Sequence, residues 1–423
     1  MKNCVYDVED RPPIKELIPL SIQHVFAMFG STILVPLLCG MSVNAALFSA
    51  GLGTLLYMAL TSFKVPAFLG SSFAFIPALI AASSMGLPYM MGGVLASGIM
   101  YVIVSFIIRG CGTGWIKKAL PPVVIGSVII CIGLSLAPTA VDMAMNINGQ
   151  YSLAALIIAL VTLAAMVISN VCLKGFVSTI PVLIGLIVGY VFTLIMGAFV
   201  PAFNLINFDG VRSAAWVGLP TFVVPKFNFG IMLTFIIVSI STICEHIGDT
   251  MTISSIVGRD FTQDPGLHKT LLGDGCATAL ASFFGGPNNT TYGENVATLA
   301  LSKVYSVRVV AGAAIMAVVL SFFPKFGALI HTIPNAVLGG ISLLLFGTIA
   351  SSGLRTIVDS GIDYTQKRNL TISSVIMVIG IGGLALQITL GKSLMLSLEG
   401  IALATVIGII LNLVLPKEKQ SEN

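Results

Sequence analysis

The chain has 423 residues, of which 56% are hydrophobic and only 9% charged, against roughly 25% charged in soluble globular proteins. That excludes a soluble fold of this size and points to one polytopic membrane protein. The net charge of +4 is too small, and the Lys and Arg residues too scattered, for a nucleic-acid partner, and the 7 cysteines form no Cys-x-x-Cys pair that would suggest a disulfide framework or a zinc site.

The N-terminus is acidic (Asp7, Glu9, Asp10, then Arg11, Pro12, Pro13) and lacks a signal-peptide layout, so residues 1–16 read as a tail and the first apolar run as a retained span. A helix needs about 20 apolar residues to cross about 30 Å of hydrocarbon. Cutting at charges, prolines and polar clusters gives seven spans at 17–40, 45–63, 67–84, 90–108, 120–138, 152–171 and 177–199. After a loop at 200–228, seven more follow at 229–250, 269–285, 289–304, 308–324, 332–351, 369–388 and 397–416, leaving a tail at 417–423. With the N-terminus inside, the inside segments carry 17 of the 21 Lys and Arg residues, from Lys2 and Arg11 to Lys417 and Lys419, and the outside ones only Arg212, Lys226, Lys325 and Lys392. This bias predicts an all-α protein of fourteen spans with both termini cytoplasmic.

The halves also resemble one another. Ile99–Phe106 matches Ile315–Phe322, Ser71–Phe75 matches Thr290–Glu294, Gln23-His24 matches Glu245-His246, and Pro121, Val124 and Gly126 match Pro334, Val337 and Gly339, all at offsets of 213–222 in chain order. Seven spans per half force the second half to insert upside down, the inverted-repeat plan of secondary transporters.

Two spans carry breaks. Residues 285–295 (GGPNNTTYGEN) are too rich in Gly, Pro, Asn and Thr to begin a helix. An extended 289–293 followed by helix over 294–303 would cross the bilayer with Glu294 near its centre. The mate, 66–77 around Gly70-Ser71-Ser72-Phe73, has the same character, so short extended stretches are predicted in spans 3 and 10. Each would aim free helix N–H groups at the membrane centre, where a polar ligand can accept from them.

Acids at bilayer depth are costly and mark function. Glu245 and Asp249, spaced i and i+4 on one helix face, and Glu294 are the candidates for carrying a proton. His24 and His246 read as helix-to-helix hydrogen-bonding residues, Asp274 as interfacial or helix-capping, and Phe73 and Tyr292 as able to stack on a flat ring. No P-loop, zinc motif or intramembrane-protease motif is present, so neither an enzyme, nor a cofactor, nor direct ATP coupling is expected. An ion or proton gradient is the expected energy source.

On Gln23-His24, Gly70–Phe75, Glu245-His246-x-Gly248 and Asn289–Asn295, the chain resembles the nucleobase–ascorbate transporter family (nucleobase:cation symporters) from about Arg11 to Leu415, and within it the bacterial uracil permeases. The resemblance implies a core domain (17–108 and 229–324) and a gate domain (109–199 and 325–416) that mediates dimerisation, with substrate between them. It implies that Glu245 and Glu294 bind the N–H groups of uracil, that backbone N–H groups near Phe73 and Gly293 meet its carbonyls, and that Tyr292, Ser342 and Phe346 border the pocket. A proton-coupled uracil importer of the bacterial cytoplasmic membrane, moving like an elevator, is the resulting expectation, with a xanthine or other nucleobase permease or a sulfate-transporter-like anion exchanger as the alternatives. The sequence departs from the family at Val296-Ala297 and Ser302-Lys303, at Asp249 where uracil permeases often have His, and at Phe346 where they often have Tyr.

Overall fold

A computed structural model of the chain describes residues 4–390 and 394–416. Lys2, Lys392, Lys417, Lys419 and the predicted tail 417–423 lie outside the described residues. In chain order the first half forms α1 (Ile14–Leu38), α2 (Val43–Leu60), β1 (Leu69–Ser71), α3 (Ile76–Ser83), α4 (Leu87–Cys111), α5 (Gly114–Ala119), α6 (Pro122–Ser135), α7 (Ala137–Met145), β2 (Asn146–Ile147), β3 (Gln150–Tyr151), α8 (Leu153–Val167) and α9 (Pro181–Phe199). After the short α10 (Asp209–Ser213), the second half forms α11 (Phe229–Val257), α12 (Leu267–Phe283), β4 (Asn289–Thr291), α13 (Gly293–Ser302), α14 (Val307–Ser321), α15 (Pro324–Ile330), α16 (Asn335–Asp359), α17 (Lys367–Gly382), β5 (Ala385–Leu390), β6 (Leu394–Glu399) and α18 (Gly400–Val414).

Helix ends follow local chemistry. Ser42, Ser152 and Asn228 accept from the N–H groups of Ala45, Ala155 and Ile231 and so start α2, α8 and α11. Gly258 stops α11 in the left-handed region, at φ 71°. Among the described residues 8 helices are long and apolar enough to cross a membrane, or 9 if α14 and α15, bent by 92°, count as one. The remaining expected spans hold shorter helices: α3 and α13 behind their strands, and α12, α14, α17 and α18 at 15–17 residues. The sequence misjudged the ends of spans 13 and 14. Residues 385–390 and 394–399 pair as an antiparallel hairpin, Ala385 opposite Glu399, where helix was expected to run to 388 and resume at 397. Alternating apolar residues suit a strand as well as a helix over so short a run.

The packing comes in matched pairs. α4 lies on α12 and α2 on α14; α6 lies on α17 and α16 on α8; α1 touches α9 and α11 touches α18. Small residues allow the closest crossings. A Cβ on Gly98 would lie 2.8 Å from the Gly275 carbonyl oxygen, and one on Gly126 would lie 2.7 Å from that of Gly353. At the centre, β1 pairs antiparallel with β4, with Leu69 opposite Thr291, Gly70 opposite Thr290 and Ser71 opposite Asn289. The N-terminal segment straps one end of this bundle. Val5 N–H donates to the Lys303 carbonyl at 2.9 Å, Val8 is buried, and Arg259 reaches Asp7 at 3.0 Å and Glu9 at 3.3 Å.

Candidate functional site

The break predicted at 289–293 is present as β4 followed by α13, and its mate as β1, a 3₁₀ turn at Phe73–Phe75 and α3. The strands pair with each other, and the hydroxyls of Thr54 and Thr278 accept from the Leu69 and Asn289 N–H groups at 2.9 and 3.2 Å. Tyr292 begins α13 with no side-chain cap, so the first N–H groups of that helix keep no partner within it. Beside them Gly293 is exposed, and a Cβ built on it would meet nothing within 4 Å.

This opening is part of a cavity of about 360 Å³ that reaches from Phe73, Glu245, Asp249, Tyr292, Gly293 and Glu294 toward Ile256, Leu301 and Arg355. Its size is that of a small-molecule site, with apolar walls and a few convergent polar groups. The charges of Asp249, Glu294 and Asp274 all reach Glu245, which stands on α11 one turn before Asp249. Glu245 Oε2 has no hydrogen-bond partner. Asp249 accepts from the Thr291 hydroxyl at 3.0 Å, and Glu294 accepts a short hydrogen bond from Ser31. One acceptor atom is thus left open while neighbouring hydroxyls hold the other two carboxyls in place.

The structure brings together Glu245, Asp249, Glu294, Phe73, Tyr292 and Gly293 around one cavity. It treats the two gate residues differently. Phe346 meets Phe73 edge-on, with ring centroids 5.6 Å apart, and forms a buried aromatic stop behind the cavity. Ser342 is buried on the same helix and spends its hydroxyl on the Leu338 carbonyl at 2.7 Å, while Leu344 and Leu345 form the cavity wall.

Both histidines join helices as expected. His24 Nδ1 lies 3.1 Å from Asn295 Oδ1, linking α1 to α13, and His246 Nδ1 lies 2.9 Å from Asp274 Oδ2, linking α11 to α12. The reading of Asp274 as interfacial or capping is wrong: it is fully buried. Counting residues from the end of its span gave depth along the helix but not the face, and the helix turns this side chain inward onto His246. Sequence reasoning also missed Ser31, Thr291 and the Gln23–Thr179 hydrogen bond of 2.7 Å. Gln23 and Thr291 stand in motifs that the sequence singles out but without these partners, and Ser31 and Thr179 carry no signal beyond a hydroxyl, which most such residues satisfy on their own helix.

The chain matches known proteins in sequence and in fold. Residues 15–389 match the family described as "Permease family" (Xan_ur_permease). The chain is 48% identical to the uracil permease of Bacillus caldolyticus, over 100% of this chain and 97% of that protein. It is 47% identical to the uracil permease of Bacillus subtilis (strain 168), over 98% of this chain and 96% of that protein. The transmembrane domain of the cyanobacterial bicarbonate transporter BicA shares its fold, with a TM-score of 0.64, 14% sequence identity and coverage of 96% of this chain and 99% of that one.

Proposed function

The chain belongs to this permease family, and from that premise we propose that it is a proton-coupled symporter importing uracil across a bacterial cytoplasmic membrane. A permease moves its substrate unchanged, so the chain is a multi-pass membrane transporter and not an enzyme. The observation that carries the uracil reading is the convergence of Glu245, Glu294 and the uncapped N-terminus of α13 on one cavity beside Phe73. Uracil presents N–H donors and C=O acceptors on a flat ring. The carboxyls accept from the former, the helix N–H groups donate to the latter, and Phe73 packs on the ring. Glu245, Asp249 and Glu294 carry the coupling proton. Clustered carboxylates in a desolvated cavity cannot all stay ionised, so a proton accompanies the substrate and leaves after it. The same carboxylates would repel an anion, which disfavours the anion-exchange alternative despite the fold shared with BicA.

The matched helix pairs and the antiparallel β1–β4 pair support two inverted repeats of seven spans. The core, 17–108 and 229–324, would slide as an elevator against the gate, 109–199 and 325–416, which pairs with a second copy. Contacts across that boundary include the Gln23–Thr179 and Ser241–Thr405 hydrogen bonds and the Phe73–Phe346 edge contact. By the positive-inside bias the cavity, running toward Leu301 and Arg355, opens to the cytoplasm and both termini lie there.

The test is uptake of radiolabelled uracil into vesicles with an imposed pH gradient, comparing wild type with Glu245→Gln and Glu294→Gln. Gradient-dependent uptake, competed by unlabelled uracil but not xanthine and lost in both variants, is expected. Uptake indifferent to the gradient would remove the proton role, and xanthine or anion transport in its place would overturn the substrate.

A further inference from the structure

Next to Glu245 on α11, and outside the lining of the cavity, lies a polar group that substrate binding does not use. His246 and Asp274 are both fully buried, and their contact is Nδ1 to Oδ2 at 2.9 Å. Two polar atoms of the pair, His246 Nε2 and Asp274 Oδ1, have no hydrogen-bond partner. The titratable groups within reach of Asp274 are Tyr57 from α2, Tyr101 from α4, and Glu245 and Asp249 on α11, with Cys244 next to Glu245 and Glu294 of α13 near the two α11 acids. No Lys or Arg stands among them.

The charge count follows from that contact. The contact needs one proton between Nδ1 and Oδ2, and with that proton alone the pair is a neutral imidazole on a carboxylate with a net charge of −1. A buried charge without a counterion is strongly disfavoured. Adding one proton from the aqueous phase forms an N–H bond at the unpartnered Nε2 and brings the pair to zero. The charge of Asp274 also reaches Glu245 and Asp249. With the pair neutral, the repulsion that an ionised Glu245 meets from it is gone, and Glu245 can accept from a substrate N–H as a carboxylate.

Resting on the reading of the chain as a proton-coupled uracil carrier, we propose that the His246–Asp274 pair is the second proton site, coupling a proton at His246 Nε2 to substrate binding at Glu245. Position 249, which lacks a histidine here, then need not titrate as one. Coupling of this kind is reciprocal: the proton strengthens substrate binding and substrate strengthens proton binding. His246 and Asp274 touch no substrate and act through Glu245, as positioning residues.

The test separates coupling from structure. In proteoliposomes, Asp274→Asn and His246→Gln should lower accumulation driven by a pH gradient by about tenfold or more, within the usual range of coupling free energies. Exchange of internal for external uracil at uniform pH should fall far less. Equal losses in both assays, or gradient-driven accumulation kept at the wild-type level, would overturn the proposal. Should the variants fail to fold, wild-type protein labelled with ¹⁵N-histidine gives a direct readout, since the chain has only 4 histidines. Added uracil should move one buried Nε2 signal from the unprotonated to the protonated position, and no change would refute the site. A wild type that moves uracil without regard to the gradient would remove proton coupling altogether, whereas coupling that survives Asp274→Asn would remove only the role given to this pair.

Discussion

Gly293→Ala offers the cleanest separation of binding from folding. The added methyl meets no heavy atom within 4 Å, and Gly293 has no left-handed φ, so the unliganded protein accommodates Ala without strain. Ala in a helix is favoured over Gly by roughly 0.5–1 kcal/mol, so stability should hold or rise slightly. The methyl nevertheless projects into the cavity beside Glu294, where the proposed substrate carbonyl approaches the N–H groups of α13. Loss of a single neutral hydrogen bond is worth about 0.5–1.5 kcal/mol net, or about 2- to 13-fold in binding, and displacement of the ring would add to that. Gly70→Ala is the contrasting control. Its Cβ would collide with the ring and hydroxyl of Tyr292, a buried residue that caps the start of α13, so the ring and the half-helix must shift. Overpacking of this kind costs about 1–3 kcal/mol and should lower both stability and binding. The assay is KM for uracil uptake beside the thermal unfolding midpoint in detergent. Gly293→Ala should raise KM with the midpoint unchanged, and Gly70→Ala should damage both. A wild-type KM in Gly293→Ala would refute docking of substrate at this helix end.

Ser31→Ala removes the hydroxyl that holds Glu294 and should raise KM by about 13-fold or more, from the roughly 1.5–3 kcal/mol of hydrogen bonds to charged groups; an unchanged KM would mean that Glu294 needs no such support. Thr179→Val takes the acceptor from the buried Gln23 amide at a cost of about 1–3 kcal/mol. It should therefore disfavour the state with the cavity open beside Leu301, seen as slower thiol labelling of Ala300→Cys, and unchanged labelling would show that this bond does not select the state. Arg259→Ala breaks a pair whose side chains are 34% and 35% exposed, worth about 0–1 kcal/mol. The midpoint should fall by no more than a few degrees with KM unchanged, and a large rise in KM would show that the N-terminal strap shapes the site.

The sequence carried the parts of this site that break a rule. An acid in an apolar helix, or a Gly-Pro-Asn-Asn run where a span should be, stands out because hydrocarbon penalises it, and Glu245, Asp249, Glu294 and both strands were found on that ground. Partners that break no rule stayed hidden. Ser31 is ordinary within a membrane helix and Thr291 within a short strand, and each gains meaning only from the carboxyl opposite, which tertiary packing supplies. Asp274 was seen but misplaced, because its depth could be counted and its facing could not. The β5–β6 hairpin escaped for another reason: six residues of alternating apolar character are too short a run to separate strand from helix.

On the proposed duplication the two halves share a shape and divide the chemistry. At an offset of 222, Glu245 corresponds to Gln23 and Asp249 to Ala27; at 219, Glu294 corresponds to Phe75. Every cavity acid discussed here thus comes from the second half, while the first contributes the Phe73 ring and the Ser31 hydroxyl. A strictly symmetric pair would set the same carboxylates on both sides of one desolvated space, where their mutual repulsion and lost hydration would leave most of them protonated. Confining acids to one half leaves the lining from the other half uncharged, with the Phe73 ring suited to the face of a flat ring. The first half nevertheless takes part in positioning them. β1 holds β4 in register, and thereby sets where α13 begins and where Glu294 and Gly293 meet the cavity. A substitution in β1 should therefore affect binding by acids it never touches, which is the physical reason that Gly70, across the strand pair from Thr290, belongs to the site.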